Sequence, residues 1–231
     1  MEKEKRKPNK KLKKLIKKLI KEGRIKTEKV KKAMLKVDRA NFFPEKSKNS
    51  AYEDHAHSIG FSATISAPHM HAMQLELMQL EQGFNVLDIG SGSGIICAYA
   101  GKIIGDAGKI IGIEHIEKLA NWSIENIKKD SPDLIEKGIA NIVVGDGFLG
   151  CKDQVFDAIH VGAAAPSIPQ SLVEQLKIGG HLVIPIGNPK SRQKLFDITK
   201  KENGEIVKTF VSNVRFVPLC KKEEQLKKKD D

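Results

Sequence analysis

The run Val86-Leu87-Asp88-Ile89-Gly90-Ser91-Gly92-Ser93-Gly94 constrains this chain more than any other segment. An apolar stretch of strand length leads into three glycines at alternate positions, and a helical pattern begins near Ile95. A strand, a tight turn and a helix in that order let the backbone approach a ligand closely, because side chains at Gly90, Gly92 and Gly94 would intrude. Nucleotide-like cofactors are the usual occupants of such turns.

The surroundings extend this reading. From residue 84, short apolar runs alternate with longer helical patterns, the signature of βαβ units and a parallel sheet. Strands are expected at Asn85 to Ile89, Lys109 to Glu114, Asn141 to Val144, Ala158 to Val161 and His181 to Ile186. Gly105 and Gly108 end one helix and Pro132 interrupts another. Gly179-Gly180 is expected to turn the chain from a helix around Leu172 to Leu176 into the next strand. Beyond it, Lys194 to Thr199 and Ile206 to Phe216 flank Asn203-Gly204, a strong hairpin signal, so the sheet is expected to finish with antiparallel strands.

Two further anchors follow the glycine turn. Glu114 ends the second strand twenty residues beyond Gly94, where a carboxylate can accept from both hydroxyls of a ribose. Gly145-Asp146-Gly147 ends the third, and Asp146 could accept from an adenine amino group. Neither register of the glycines completes GxGxxG, which disfavours NAD. Asp88 also suits a cationic methionine-like tail better than a pyrophosphate, which its carboxylate would repel.

The net charge of +11 suggests nucleic acid until it is divided along the chain. Residues 1–32 hold 16 Lys and Arg against 4 Asp and Glu, whereas residues 33–231 hold 24 against 25. The sequence therefore reads as a lysine-rich arm over 1–32 and a single domain over 33–231, with 40% hydrophobic residues to form one core. Within the arm, Leu12, Leu15, Ile16, Leu19 and Ile20 share one helical face. That helix is expected to pack on the domain edge with its lysines in solvent, and RNA or an anionic membrane is the alternative use of the charge. No apolar run approaches the roughly 20 residues that span a bilayer, and the charged stretch Met1 to Lys14 offers no secretory signal. Three widely spaced cysteines, Cys97, Cys151 and Cys220, fit a reducing cytosol. A monomer is expected, because no long exposed apolar stripe is evident beyond the Leu12 to Ile20 face.

Histidines 55, 57, 69 and 71 form two HxH pairs near Asp54, which by themselves suggest zinc. Neither spacing matches HExxH, and no metal is expected. Cys97 falls on the apolar side of the first helix after the turn and reads as core.

With these residues in place, the chain resembles the protein-L-isoaspartate (D-aspartate) O-methyltransferase family over nearly all of Val30 to Leu219. The segment from Ser58 to Ala72, SIGFSATISAPHMHA, looks like that family's active-site segment. Further matches are Val143 to Gly147, Ile159 to Pro166, Pro169 through Gly180, and Phe216-Val217-Pro218-Leu219. The resemblance implies a class I S-adenosylmethionine-dependent methyltransferase fold: Rossmann-like, α/β, doubly wound, mainly parallel, with an antiparallel hairpin at the end. It also implies methyl transfer from S-adenosyl-L-methionine to the α-carboxylate of L-isoaspartyl residues in damaged proteins and peptides. The ester then collapses to a succinimide, S-adenosyl-L-homocysteine is the other product, and the family counterpart of the histidine segment binds no metal.

The residues support that chemistry. Gly162-Ala163-Ala164-Ala165-Pro166 stands where many nitrogen methyltransferases carry Asn-Pro-Pro-Tyr. A carboxylate nucleophile needs no base, since it is already ionised near neutral pH. By resemblance, Ser66 is the catalytic residue, its hydroxyl beside the transferring methyl; a helix N-cap before Pro68 is its other reading. The resemblance assigns the cofactor lid to Ala63, Thr64, Ile65, Ser66 and His71. It assigns the ribose and adenine side to Glu114 and His115 and a late contact to Gln225, beside the loop residues Asp88, Ile89, Gly90, Ser91, Gly92 and Gly94 and the strand-end pair Gly145 and Asp146 read from spacing. The arm through Lys21 has no expected counterpart in the family. An RNA methyltransferase and a non-enzymatic cofactor-shaped scaffold are the competing readings, and nucleic acid is disfavoured because the sequence shows no catalytic motif for it.

Overall fold

In the computed structural model, which describes residues 9–188 and 192–227, the chain begins with the amphipathic helix. Helix α1 (Lys10–Lys21) starts where the Asn9 side chain accepts from the Lys11 N–H at 2.8 Å. Leu12, Leu15, Ile16 and Leu19 are buried, while the lysines between them are exposed. These apolar side chains belong to the same core cluster as Val86 and Ile95, so the segment read as an arm contributes its apolar face to the interior. Residues 1–8 of it lie outside the described residues. Helix α2 (Glu28–Lys36) follows, capped by Thr27, and the Glu76 carboxylate accepts from the N–H groups of Lys26 and Thr27.

The remaining elements are a small hairpin of β1 (His57–Gly60) and β2 (Ala63–Ile65), then α3 (Pro68–Leu77), β3 (Asn85–Ile89), α4 (Ile95–Ile104), β4 (Lys109–Glu114), α5 (Glu117–Asp130), α6 (Pro132–Glu136), β5 (Ala140–Val144), β6 (Phe156–Val161), α7 (Gln170–Glu174), β7 (Leu176–Ile186), β8 (Gln193–Lys200), β9 (Ile206–Val214) and α8 (Lys222–Leu226). Seven strands form one sheet in the order β5-β4-β3-β6-β7-β8-β9. The first five are parallel, and β8 and β9 add antiparallel at one edge. Core clusters of buried apolar residues lie against both faces, as a doubly wound sheet requires. The chain leaves β3 toward β4 and β5, then returns to the other side of β3 as β6. That reversal opens a crevice at the carboxyl ends of β3 and β6.

The expected strands are present, with one correction. The chain does not turn from a helix into a strand at Gly179-Gly180; α7 ends at Glu174, and β7 already runs from Leu176 through both glycines. The register against β6 shifts between Phe156 and Ala158, so this is a bulge within a strand. Gly179 takes the left-handed backbone at φ 76°, and a Cβ on Gly180 would stand 2.8 Å from the Asp157 carbonyl oxygen. The β1–β2 hairpin lacks the usual sequence signal, because its turn places Phe61 and Ser62, not Asn-Gly, at φ 52° and 54°.

Leu19 is fully buried on α1. Leu19→Ala is expected to lower unfolding free energy by about 2–5 kcal/mol in urea titration; a loss of under about 0.5 kcal/mol, the usual range for surface changes, would show that α1 is not docked.

Candidate active site

The glycine turn is tied to the neighbouring strand by backbone. The N–H groups of Gly90 and Ser91 both donate to the Ile113 carbonyl, and Gly90 and Gly92 stand at φ 73° and 51°, which glycine adopts without strain. Glu114, at the end of β4, accepts from the Gly92 N–H at 3.1 Å and the Ile116 N–H at 3.0 Å, one bond on each oxygen. Burial raises the pKa of its carboxyl, opposed by the Ile116 N–H, by His115 and by the Gly92 N–H. Each oxygen retains a lone pair.

These groups line a cleft of about 530 Å³, including the part open to solvent, whose walls include Ala63, Thr64, Gly147, Gly162 and Leu219. His115 and Gln225 close one end. The Gln225 carbonyl oxygen lies 2.8 Å from His115 Nε2, and its amide donates to the Phe61 carbonyl, so α8 is clamped to the hairpin turn and to the end of β4. Because the amide oxygen only accepts, His115 carries its proton on Nε2. Cys220 also lines this cleft, its sulfur 4.0 Å from the same amide oxygen.

A smaller cleft continues inward between Thr64, Ile65, Ser66, His71, Asp88 and Ser91. Asp88, 1% exposed, receives His160 Nδ1 at 2.7 Å on one oxygen and the Cys97 thiol at 3.2 Å on the other. Burial and Asp88 push the Cys97 thiol pKa well up, so it stays protonated as a donor. The register that sets Asp88 opposite His160 brings this pair together. Ser91 Oγ and His160 Nε2 are buried without a protein partner.

Ser66 is half-buried between β2 and α3. It is not the helix cap: Ala67 holds that position, and no side chain caps α3. The Ser66 carbonyl instead accepts from Arg39 Nη2 at 2.7 Å, and Arg39 Nη1 lies 3.0 Å from His71 Nδ1. A guanidinium only donates, so His71 accepts on Nδ1 and holds its proton on Nε2. Burial first, and Arg39 second, depress the His71 pKa and keep the ring neutral. Burial also lowers the Arg39 pKa to about 10. Thr64 and Ser66 line a second, outer depression with His69, Met70, Arg192, Asn213 and Phe216, so Ser66 forms part of the wall between the two sides.

The structure separates other expected residues from the clefts. Ile89 is fully buried and contributes its carbonyl to the Gly162 N–H. Gly94 packs α4 against α5, where a Cβ would meet Ser123 at 3.0 Å. Asp146 is exposed and accepts from the Phe148 N–H, and Gly147, not Gly145 or Asp146, lines the main cleft. The two HxH pairs also separate: His69 bonds Asp54 through its N–H and its ring, while His71 faces Arg39. The roles of Arg39 and His160 were not read from sequence, which showed His160 only as part of the Ile159 to Pro166 match.

A family model described as protein-L-isoaspartate(D-aspartate) O-methyltransferase matches residues 9–224. Since the match begins at residue 9, α1 does have a counterpart in the family, against the expectation from sequence. The chain is 46% identical over 210 residues to protein-L-isoaspartate O-methyltransferase 1 of Arabidopsis thaliana, covering 89% of each. It is 44% identical over 194 residues to protein-L-isoaspartate O-methyltransferase 2 of Archaeoglobus fulgidus, covering 84% of this chain and 85% of that one. Among solved structures, a Plasmodium falciparum protein-L-isoaspartate O-methyltransferase in complex with S-adenosyl-L-homocysteine superposes with a TM-score of 0.82 at 36% identity, covering 90% of this chain and 97% of that one.

The His71 environment sets a pH dependence. Its folded pKa lies below the ordinary value of 6.5, so below that pH the unfolded chain binds a proton that the folded chain does not, and stability falls as pH drops. The expected slope is up to about 1.4 kcal/mol per pH unit as pH falls below roughly 6.5. Urea titrations across that range should show a shallower slope for His71→Asn; equal slopes would mean that the folded protein can protonate His71.

Proposed function

Because the chain belongs to the protein-L-isoaspartate(D-aspartate) O-methyltransferase family, we propose that Ser66, in the wall between its inner and outer clefts, orients an isoaspartyl carboxylate for methylation. The protein is an S-adenosylmethionine-dependent protein carboxyl O-methyltransferase that acts on isoaspartyl residues and so initiates their repair through a succinimide. The observation that carries the residue-level reading is the position of Ser66 and Thr64 on both clefts, with the Ser66 carbonyl fixed by Arg39.

The residues of the inner site fit S-adenosylmethionine. Glu114 would take the ribose hydroxyls on its remaining lone pairs, and the turn at Gly90 and Gly92 leaves room for close approach by a ligand. Ser91 Oγ and His160 Nε2, both buried without a protein partner, offer polar contacts beside Asp88 toward the amino acid end. Ala63, Ile65 and His71 would complete the lid, and His115 and Gln225 would border the adenine side. When bound, the cofactor supplies an electrophilic methyl group on a sulfonium centre. Ile89, Gly94, Gly145 and Asp146 support the site through backbone and packing.

The protein's part in the reaction is positioning. The substrate carboxylate is ionised near neutral pH, so no side chain has to remove a proton. The Ser66 hydroxyl would donate to one carboxylate oxygen and point the other toward the methyl. Attack cancels two opposite charges, which exclusion of water favours. Small residues at Gly162 and Ala163 leave the main cleft open for the cofactor, and the outer depression beyond Ser66 would take the peptide backbone.

Among the described residues no helix is long and apolar enough to cross a membrane. We place the enzyme in the cytoplasm as a monomer. The wide spacing of its three cysteines supports the first, and burial of the α1 apolar face supports the second. A sedimentation mass that rises with concentration would refute the monomer.

Paired peptides that differ only in L-isoaspartate or L-aspartate at one position test the chemistry with labelled S-adenosylmethionine. Label is expected on the isoaspartyl peptide alone. Ser66→Ala should lower kcat/KM roughly 10- to 100-fold while S-adenosylhomocysteine binding stays within about threefold; unchanged kcat/KM would remove Ser66 from the reaction. Glu114→Gln should instead weaken S-adenosylhomocysteine binding by roughly 10- to 100-fold in calorimetry, and unaltered affinity would exclude the ribose contact.

A further inference from the structure

The bend that leads into β1 gathers three side chains that methyl transfer does not use. His57 opens β1, and His55 lies two residues before it in the bend. Their ring centroids lie 4.2 Å apart with planes at 36°. Glu53 joins them, its Oε2 2.7 Å from His55 Nε2. One ligand atom from each of the three residues lies within 4.8 Å of the others. His57 is held in place: Phe43 packs edge-on against its ring at 5.1 Å, and its first ladder partner is Ile65. Its Nε2 is buried without a hydrogen-bond partner, an arrangement that costs free energy unless something occupies that nitrogen.

Burial first, then the neighbouring His55 and Arg39, lower the His57 pKa, whereas the Ala56 carbonyl and Glu53 raise that of His55. Two imidazole nitrogens and one carboxylate converging at this distance make a donor set that a metal ion can bridge, displacing the proton His55 shares with Glu53.

We propose that Glu53, His55 and His57 form a binding site for a divalent transition-metal ion of the zinc class, at the edge of the active-site hairpin. The ligand chemistry selects the class. Two nitrogens and one carboxylate suit Zn²⁺, whereas Mg²⁺ and Ca²⁺ require nearly all-oxygen shells of six or more ligands. Binding at about 2.0–2.2 Å from each donor requires only small rotations of His55 and Glu53, whose side chains are 54% and 57% exposed and free to move, while His57 stays as the fixed point. The ion would replace the hydrogen bond between Glu53 and His55 and leave a fourth position for water. Asp54 stays outside the set because His69 engages it.

The location gives the ion a consequence. Ala56, between the two histidines, lines the outer depression together with Ser66, and β1 pairs with the strand that runs into Ser66. An ion held here ties residues 53–55 to β1 and stiffens one wall of the proposed peptide site. This goes beyond the methyltransferase reading and does not depend on it.

Calorimetry and thermal melts of the full chain, stripped with a chelator and titrated with zinc chloride, test the site. One ion per chain is expected, with a rise in Tm and slower amide exchange over residues 57–65, and magnesium should produce neither. Glu53→Gln and His55→Ala alter exposed side chains, so they should fold, and each should weaken zinc binding roughly tenfold or more. Cobalt absorption should report nitrogen and oxygen ligands in the wild type and fade in both variants. Zinc affinity that survives His55→Ala combined with His57→Ala would assign the ion to Cys151 or Cys220 and overturn the proposal, as would an absence of binding at micromolar zinc. Binding without slower exchange would overturn the stiffening of the hairpin.

Discussion

The parallel pairing of β3 with β4 on one side and β6 on the other is the constraint on which the structure depends. From β3 the chain first moves outward to β4 and β5 and then returns to place β6 on the opposite side, so its progress across the sheet reverses at β3. The reversal leaves the loops after β3 and β6 pointing apart, and the cleft occupies that gap. The register then decides which side chains meet: Asp88 opposite His160, with the turn after Ile89 drawn against the Ile113 carbonyl. A slip of one residue in either pairing would turn Asp88 to the other face and separate it from its partners.

Buried polar groups of this interior are joined in two small chains, which leave Arg39 Nε and His160 Nε2 without a protein partner. One joins Cys97, Asp88 and His160 beneath the inner cleft. The other runs from His71 through the Arg39 guanidinium to the Ser66 carbonyl. Arg39 comes from the short helical turn after α2, so the N-terminal helices are mechanically linked to the residue proposed to orient the substrate. The docking of α1 belongs to the same system. Its apolar face covers a core that would otherwise be open to water, and the lysines need only remain solvated.

Much of this was legible in the sequence because it depends on local pattern. The strand, glycine turn and helix around Gly90, the carboxylate ending the next strand and the hairpin at Asn203-Gly204 each announce themselves through spacing and backbone requirements. Gly179-Gly180 misled for a physical reason: glycines end helices and also permit bulges, and only pairing with β6 distinguishes the two. Asp146 shows how far local pattern reaches. Its place at a strand end was right, but its carboxylate turned back to the Phe148 N–H, and Gly147 took the position on the cleft. Ser66 preceded a helix beginning with proline and read equally well as a cap, until the backbone gave that position to Ala67.

By itself, the sequence determined the class of fold, the cofactor-binding turn, the amphipathic face of α1 and, through the ordered series of motifs, the family to which the chemistry belongs. These follow from periodicity and from backbone geometry that only certain residues permit. Tertiary structure alone decided that Arg39, 27 residues before Ser66, holds its carbonyl, that His160 faces Asp88 across 72 residues, and that Glu53 converges with only one of the two histidine pairs. Such contacts arise from strand register and from packing between distant segments, and local sequence carries no energy term that encodes them.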